Sequence, residues 1–195
     1  MLKKIAVFVS GRGSNFAALQ SVLKKNEEKA KILCVVANRV CPALQLARDF
    51  NITTFLVSEI RKEKYLNYKE LTQKLIELGI DLIVLAGFLK KIPDLLINNF
   101  SHKIINIHPA LLPAFGGKGM YGMKVHSAVF NSGAKVSGVT VHYVDNIYDH
   151  GEIIAQKCVD ISDAHSPEEI ARKVLALEHE LLPEVVLKIV EGRIT

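Results

Sequence analysis

Apolar runs alternate with amphipathic stretches along most of this chain. The segments "IAVFVS" (5–10), "ILCVVA" (32–37), "TTFLV" (53–57), "DLIVLAG" (81–87) and "KIINIH" (103–108) are rich in Ile and Val and apolar on both faces, the pattern of strands buried within a sheet. Helical periodicity fills the intervals at about 15–25, 42–50 behind Pro42, 62–78 and, briefly, 93–99. This βα alternation predicts an α/β fold, a mostly parallel sheet with helices on both faces. Beyond Pro113 the rhythm changes. "AFGGKGMYGMK" holds four glycines in eleven residues and reads as a loop. A short helix, "VHSAVFNSG", precedes two strands, "SGVTVHYV" and "EIIAQKCVDI", which lie seven residues apart. That interval is too short for a crossover helix, so the pair is antiparallel. Ser166-Pro167-Glu168-Glu169 is a capping-box start, and it predicts a long helix to about Glu191, interrupted or kinked near Pro183.

The fifth strand departs from its own pattern. In "KIINIHPALLPAF" (103–115) Asn106 and His108 follow two isoleucines, and Pro109 ends the run. Residues two apart share a face, so carboxamide and imidazole are neighbours. They stand at the carboxyl end of the strand, where open α/β sheets bind ligands. An Asn N–H and an imidazole suit an oxygen that gains negative charge in acyl transfer, and one such donor is worth about 3–4 kcal/mol of barrier. No nucleophile accompanies them: Ser101 lies upstream in a turn, G-x-S-x-G is missing, and no cysteine is near in sequence. The acyl group is therefore expected to pass directly from donor to acceptor. Such a histidine needs a carboxylate neighbour to work near neutral pH. "YVDNIYDHGEII" offers Asp145, Asp149 and Glu152, and the residues alone do not choose among them. His142 reads as structural or surface; His126, His150 and His165 fall in loops or at helix starts without metal-ligand spacing.

Ser10-Gly11-Arg12-Gly13-Ser14-Asn15 sits between the first strand and first helix, where backbone N–H groups receive phosphate. A dinucleotide site fails on two counts, because Phe16 replaces the third glycine and the second strand ends in Ala37-Asn38-Arg39 without a ribose-binding acid. A single phosphate ester on Gly13, Ser14 and Asn15 fits better. The structural alternative is a tight turn with Ser14 or Asn15 as N-cap.

Composition narrows the classes. With 195 residues, 49% of them apolar, the chain suits one core. No window reaches the roughly 18 uninterrupted apolar residues of a membrane span, and "MLKKIAVFVSGRGSN" turns polar too early for a secretory signal. A soluble, cytoplasmic protein is expected. Cys34, Cys41 and Cys158 lack C-x-x-C spacing and read as reduced core residues, with no disulfide and no metal expected. The net charge of +5 comes from scattered lysines without interleaved aromatics, which argues against a nucleic-acid partner and leaves a small anion as a ligand.

"VFVSGRGSN", "LIVLAGFLKKIP", "INIHPALLPAF", "HSAVFNSGAKVSGVTVHYV" and "YDHGEIIAQ", in this order, resemble the phosphoribosylglycinamide formyltransferases, folate-dependent enzymes of purine synthesis. The resemblance covers nearly the whole chain and implies one Rossmann-like formyltransferase domain over 1–195. Its phosphate-binding half is about 1–100 and its folate-binding, catalytic half about 101–195. It implies catalytic roles for Asn106, His108 and Asp149, phosphate binding by Gly13, Ser14 and Asn15, and ribose binding by Glu178. The folate pterin is expected against Leu89, Lys90, Lys91 and Ile92, against the loop Asp145, Asn146, Ile147, Tyr148 and Asp149, and beside Asn106.

The implied reaction is direct formyl transfer from 10-formyltetrahydrofolate to the amine of glycinamide ribonucleotide. In it, protonated His108 and Asn106 hold the oxyanion and Asp149 raises the histidine's pKa. A monomer or homodimer acting on small molecules, with no membrane partner, is expected. Three departures stand out: Ala110 for a common Ser, Lys90 for the usual Arg, and a long glycine loop, Gly116–Gly122, expected to form a mobile flap. Formyltransferases acting on methionyl-tRNA or sugar amines, and formyltetrahydrofolate hydrolases, share the core but add a domain that is not expected here. A non-catalytic sensor on the same fold would leave Asn106, His108 and Asp149 idle.

Overall fold

A computed structural model describes residues 2–194. Seven strands form one sheet: β1 (Lys3–Val9), β2 (Ala30–Ala37), β3 (Thr53–Leu56), β4 (Leu82–Leu85), β5 (Ile104–His108), β6 (Val136–Tyr143) and β7 (Ile153–Asp160). Their order is β3-β2-β1-β4-β5-β6-β7; β1 to β5 are parallel, and β6 and β7 run antiparallel to their neighbours. After β3 the chain returns to the other side of β1, so the strand order reverses between β1 and β4. That crevice is where a sheet of this kind binds ligands.

The strands are apolar on both faces because helices cover both. Ile5, Val7 and Val9 face a core shared with α1 (Ser14–Lys24), α2 (Pro42–Asp49), α5 (Met123–Asn131) and α6 (Pro167–Val190). Ala6 and Phe8 face a second core, built with α3 (Tyr68–Glu77) and α4 (Asp94–Asn99). Several boundaries differ from the expectation. α3 begins at Tyr68 rather than near 62, because Asn67 and Glu70 form a reciprocal capping box there. Before it the chain makes a turn at residues 63–64 and Leu66 bridges to Val57, with Leu66 N–H donating to the Leu56 carbonyl. At α6, Ser166 Oγ accepts from Glu169 N–H, but the Glu169 carboxylate accepts from His165 N–H one residue earlier, so the expected box is only half formed. α6 continues without interruption through Pro183.

Among the cysteines only Cys34 is a core residue; Cys41 is half-buried and Cys158 is exposed. β7 is an edge strand, so its outward positions meet solvent. All three thiols are free. No helix among the described residues is long and apolar enough to cross a membrane.

Candidate active site

The end of β5 carries Asn106, half-buried, and His108, 3% exposed. The β5–β6 register sets Asn106 opposite His142 and His108 opposite Thr140. Asn106 Nδ2 lies 3.1 Å from His142 Nε2, and His142 Nδ1 lies 2.7 Å from the Tyr143 carbonyl. A carbonyl only accepts, so His142 carries its proton on Nδ1, and its bare Nε2 accepts from the Asn106 amide. Asn106 makes no other side-chain hydrogen bond among the described residues, so its second N–H and its carbonyl oxygen are available to a ligand.

Asp149 arrives from the loop between β6 and β7 in a left-handed conformation, φ 54°. Its Oδ1 is 3.6 Å from His108 Nδ1 and 3.8 Å from His142 Nε2. Its Oδ2 accepts from Gly117 N–H at 2.9 Å. His108 Nε2–H donates to the Phe115 carbonyl at 2.9 Å, so its unprotonated Nδ1 faces the carboxylate. Burial lowers the pKa of His108 and outweighs the opposing pull of Asp149 and of the Phe115 carbonyl. Burial thus favours the neutral ring, and Asp149 is placed to receive the charge when Nδ1 takes a proton. Asp145, another candidate, is half-buried and lies in the wall of the same cleft. Its carboxylate is held by the His150 ring at 2.7 Å and by Ile147 N–H at 2.8 Å.

The glycine loop leaves β1 and enters α1 through Gly13, the N-cap, at φ 83°. A Cβ there would stand 2.6 Å from Ala43 Cβ, so both the backbone conformation and the space call for glycine. No side chain caps α1, which rules out Ser14 or Asn15 as N-cap and leaves the helix start open to an anion. Asn15 Nδ2 donates to Glu178 Oε2 of α6 at 2.5 Å, while Asn15 Oδ1 is buried with no partner among the described residues. Burial raises the Glu178 pKa against the opposing effect of the Asn15 bond.

A cleft of about 270 Å³ joins these groups. Asn15 and Glu178 line it together with Asn106, His108 and Asp149; Leu89, Lys90 and Lys91 form part of its wall, and Asp145, Ile147 and Tyr148 another part. Four of the expected residues are not in the lining. Gly13 and Ser14 lie beside it as the N-cap and first residue of α1. Ile92 is 4% exposed and packs in the core on the α3 side, and Asn146 lines an adjoining groove that shares Asp145 and Ile147 with the cleft.

Residues 3–186 match the formyl transferase family profile. A phosphoribosylglycinamide formyltransferase of Bacillus subtilis is 38% identical over 95% of this chain and 93% of its own length. The chain belongs to the phosphoribosylglycinamide formyltransferase family. A chloroplastic phosphoribosylglycinamide formyltransferase of Arabidopsis thaliana is 45% identical over 98% of this chain, which spans 67% of that protein's length. The crystal structure of phosphoribosylglycinamide formyltransferase from Anaplasma phagocytophilum superposes with a TM-score of 0.87 at 35% identity, covering 98% of this chain and 88% of the other.

Within this formyltransferase, two cleft histidines are not legible from the sequence. His142 is 2% exposed and orients Asn106; it was expected to be structural or on the surface. His126, on α5, is 6% exposed, lines the cleft, and has a buried Nδ1 without a partner among the described residues. Alternation along β6 gives the face of His142, but only the pairing with β5 shows which residues share that face.

Burial pushes His108, His126 and His142 all below the ordinary histidine value of 6.5. The unfolded chain then binds more protons than the folded one below pH about 6.5, so stability falls as pH drops through that value. Glu178, with its raised pKa, gives the opposite slope from 4.5 upward. With His179, which burial lowers as well, four groups against one predict a Tm that declines from pH 7.5 to pH 5.5, less steeply in His126→Asn. Calorimetry across that range decides, and a Tm that is constant or rises on acidification is the contrary result.

Proposed function

We propose that this chain transfers a formyl group from 10-formyltetrahydrofolate to the amino group of glycinamide ribonucleotide, giving formylglycinamide ribonucleotide and tetrahydrofolate. The observation that carries the reading is one cleft in which Asn106, His108 and Asp149 meet the buried Asn15–Glu178 pair, in a member of this family. The substrate phosphate sits on the open start of α1 at Gly13, Ser14 and Asn15. Its ribose hydroxyls meet Glu178, an anionic acceptor already fixed by Asn15. The pterin lies between the Leu89–Ile92 segment and the Asp145–Asp149 loop.

The amine attacks the formyl carbon and forms the new C–N bond, while the carbonyl electron pair moves onto oxygen. The free N–H of Asn106 and the Nε2–H of His108, released from the Phe115 carbonyl, stabilise that oxyanion. His108 Nδ1 takes the proton lost by the amine. The resulting imidazolium is met by Asp149 and returns the proton to the folate nitrogen as its bond to the formyl carbon breaks. No acyl-enzyme forms. The cytoplasm is the proposed compartment, although the plant relatives carry names that place them in the chloroplast.

Turnover with both substrates tests the reading. Deformylation of the folate that requires the ribonucleotide is the expected result; deformylation by water alone indicates a hydrolase. Glu178→Gln keeps the shape but removes the charge. We expect the KM for the ribonucleotide to rise about tenfold with little change in the KM for folate, in line with the roughly 1.5–3 kcal/mol of hydrogen bonds to charged groups. An equal rise in both constants would remove Glu178 from the ribose site.

A further inference from the structure

Ser10 is 1% exposed and has no part in the steps above, yet its hydroxyl ties together three strand ends. It follows the last residue of β1, and its Oγ donates to Asn38 Oδ1 just past β2 at 2.6 Å. The same oxygen accepts from Leu89 N–H, beyond β4, at 2.9 Å. The Ser10 carbonyl accepts from Arg39 Nε at 2.8 Å, and the next carbonyl, Gly11, accepts from Ala43 N–H at 3.2 Å. The root of the glycine loop is thus fixed on the β2 side by three contacts. On the cleft side it is held to the Leu89 backbone through one hydroxyl. The bonds run in one direction, from Leu89 N–H to Ser10 O–H to Asn38, so each polarises the next.

We propose that Ser10 is a positioning residue that couples the two substrate sites across the β1–β4 crevice. The inference rests on reading the glycine loop as the phosphate site and the Leu89–Ile92 segment as the pterin wall. Ordering the loop around phosphate fixes Ser10, and through it the Leu89 backbone, so the second ligand meets a wall that is already ordered. Such coupling is reciprocal by linkage.

Glycinamide ribonucleotide and tetrahydrofolate form a pair that cannot react, and calorimetric titration of each, alone and in the presence of the other, measures the coupling. In the parent, each ligand is expected to tighten the other by about fivefold or more. In Ser10→Ala the factor falls close to one, while the two single-ligand affinities change less. Asn38→Ala loses a bond to the same hydroxyl but keeps the Leu89–Ser10 contact, and it retains the coupling. Undiminished coupling in Ser10→Ala, equal loss in Asn38→Ala, or independent binding in the parent overturns the inference alone. Failure of the parent to bind either ligand overturns the reading of the sites as well. If Ser10→Ala does not fold, hydrogen exchange in the parent decides. The ribonucleotide alone is expected to slow exchange of the Leu89 amide, and an unchanged rate refutes the link.

Discussion

His108→Ala is expected to bind both substrates with affinities near those of the parent and to lose about a hundredfold to ten-thousandfold in kcat, the usual worth of a positioned acid-base group. The ring is almost fully buried at the end of β5, so its removal takes away one oxyanion donor and the base that faces Asp149 at 3.6 Å. Neither substrate is anchored through it, since the proposed anchors are the glycine loop, Glu178 and the pterin wall. Steady-state kinetics separate the two contributions: a fall in kcat with steady KM values supports the assignment, and unchanged turnover removes His108 from the mechanism. Asp149→Asn provides the complementary test. It keeps an oxygen for Gly117 N–H but cannot meet the imidazolium with charge. The acid limb of its kcat/KM profile should therefore move to lower pH than in the parent, because the opposing charge that raises the His108 pKa is gone.

The second large effect falls on a residue with no side chain. Gly151 passes so close to the carbonyl of Tyr143 that a Cβ would stand 1.9 Å from its oxygen and 2.8 Å from its carbon. Both are backbone atoms at the root of the β6–β7 hairpin, where Tyr143 N–H donates to the Glu152 carbonyl at 2.8 Å. They cannot yield as a flexible side chain does, so Gly151→Ala must displace the hairpin itself. We expect a loss of about 3 kcal/mol, a Tm lower by roughly 6–12 °C for a chain of this size, and a kcat reduced along with it. Asp149 is two residues away, and its placement depends on this close approach. Thermal unfolding and kinetics on the same preparation decide the matter. A variant with parental Tm and parental kcat would show that the hairpin has room the close contact denies.

Much of the candidate site was written locally. Asn106 and His108 declare themselves because two polar residues interrupt a strand that is otherwise apolar on both faces, and their two-residue spacing fixes their common face. The glycine loop is legible for a similar reason: glycine at a β-to-α junction meets the need for φ 83° and for the close packing of Ala43. The shift of the α3 start from 62 to 68 has a local cause as well, the Asn67–Glu70 box, which periodicity alone overran.

The sequence by itself determined the strand and helix order, the antiparallel final pair, and the residue types that acyl transfer needs, because these depend on period and spacing along the chain. Only the tertiary structure decided which groups meet. Asp149 and Asp145 are both acidic residues of one loop. Asp149 reaches His108 because the left-handed turn at 149 and the bare approach at Gly151 aim it inward, while the Asp145 carboxylate is held by His150 and Ile147. His142 became part of the site through the register that sets it against Asn106, and Glu178 through the packing of α6 on α1, which brings it to Asn15 across 163 residues. Contacts of that range depend on how the elements close on one another, and the pattern within any single element carries no information about them.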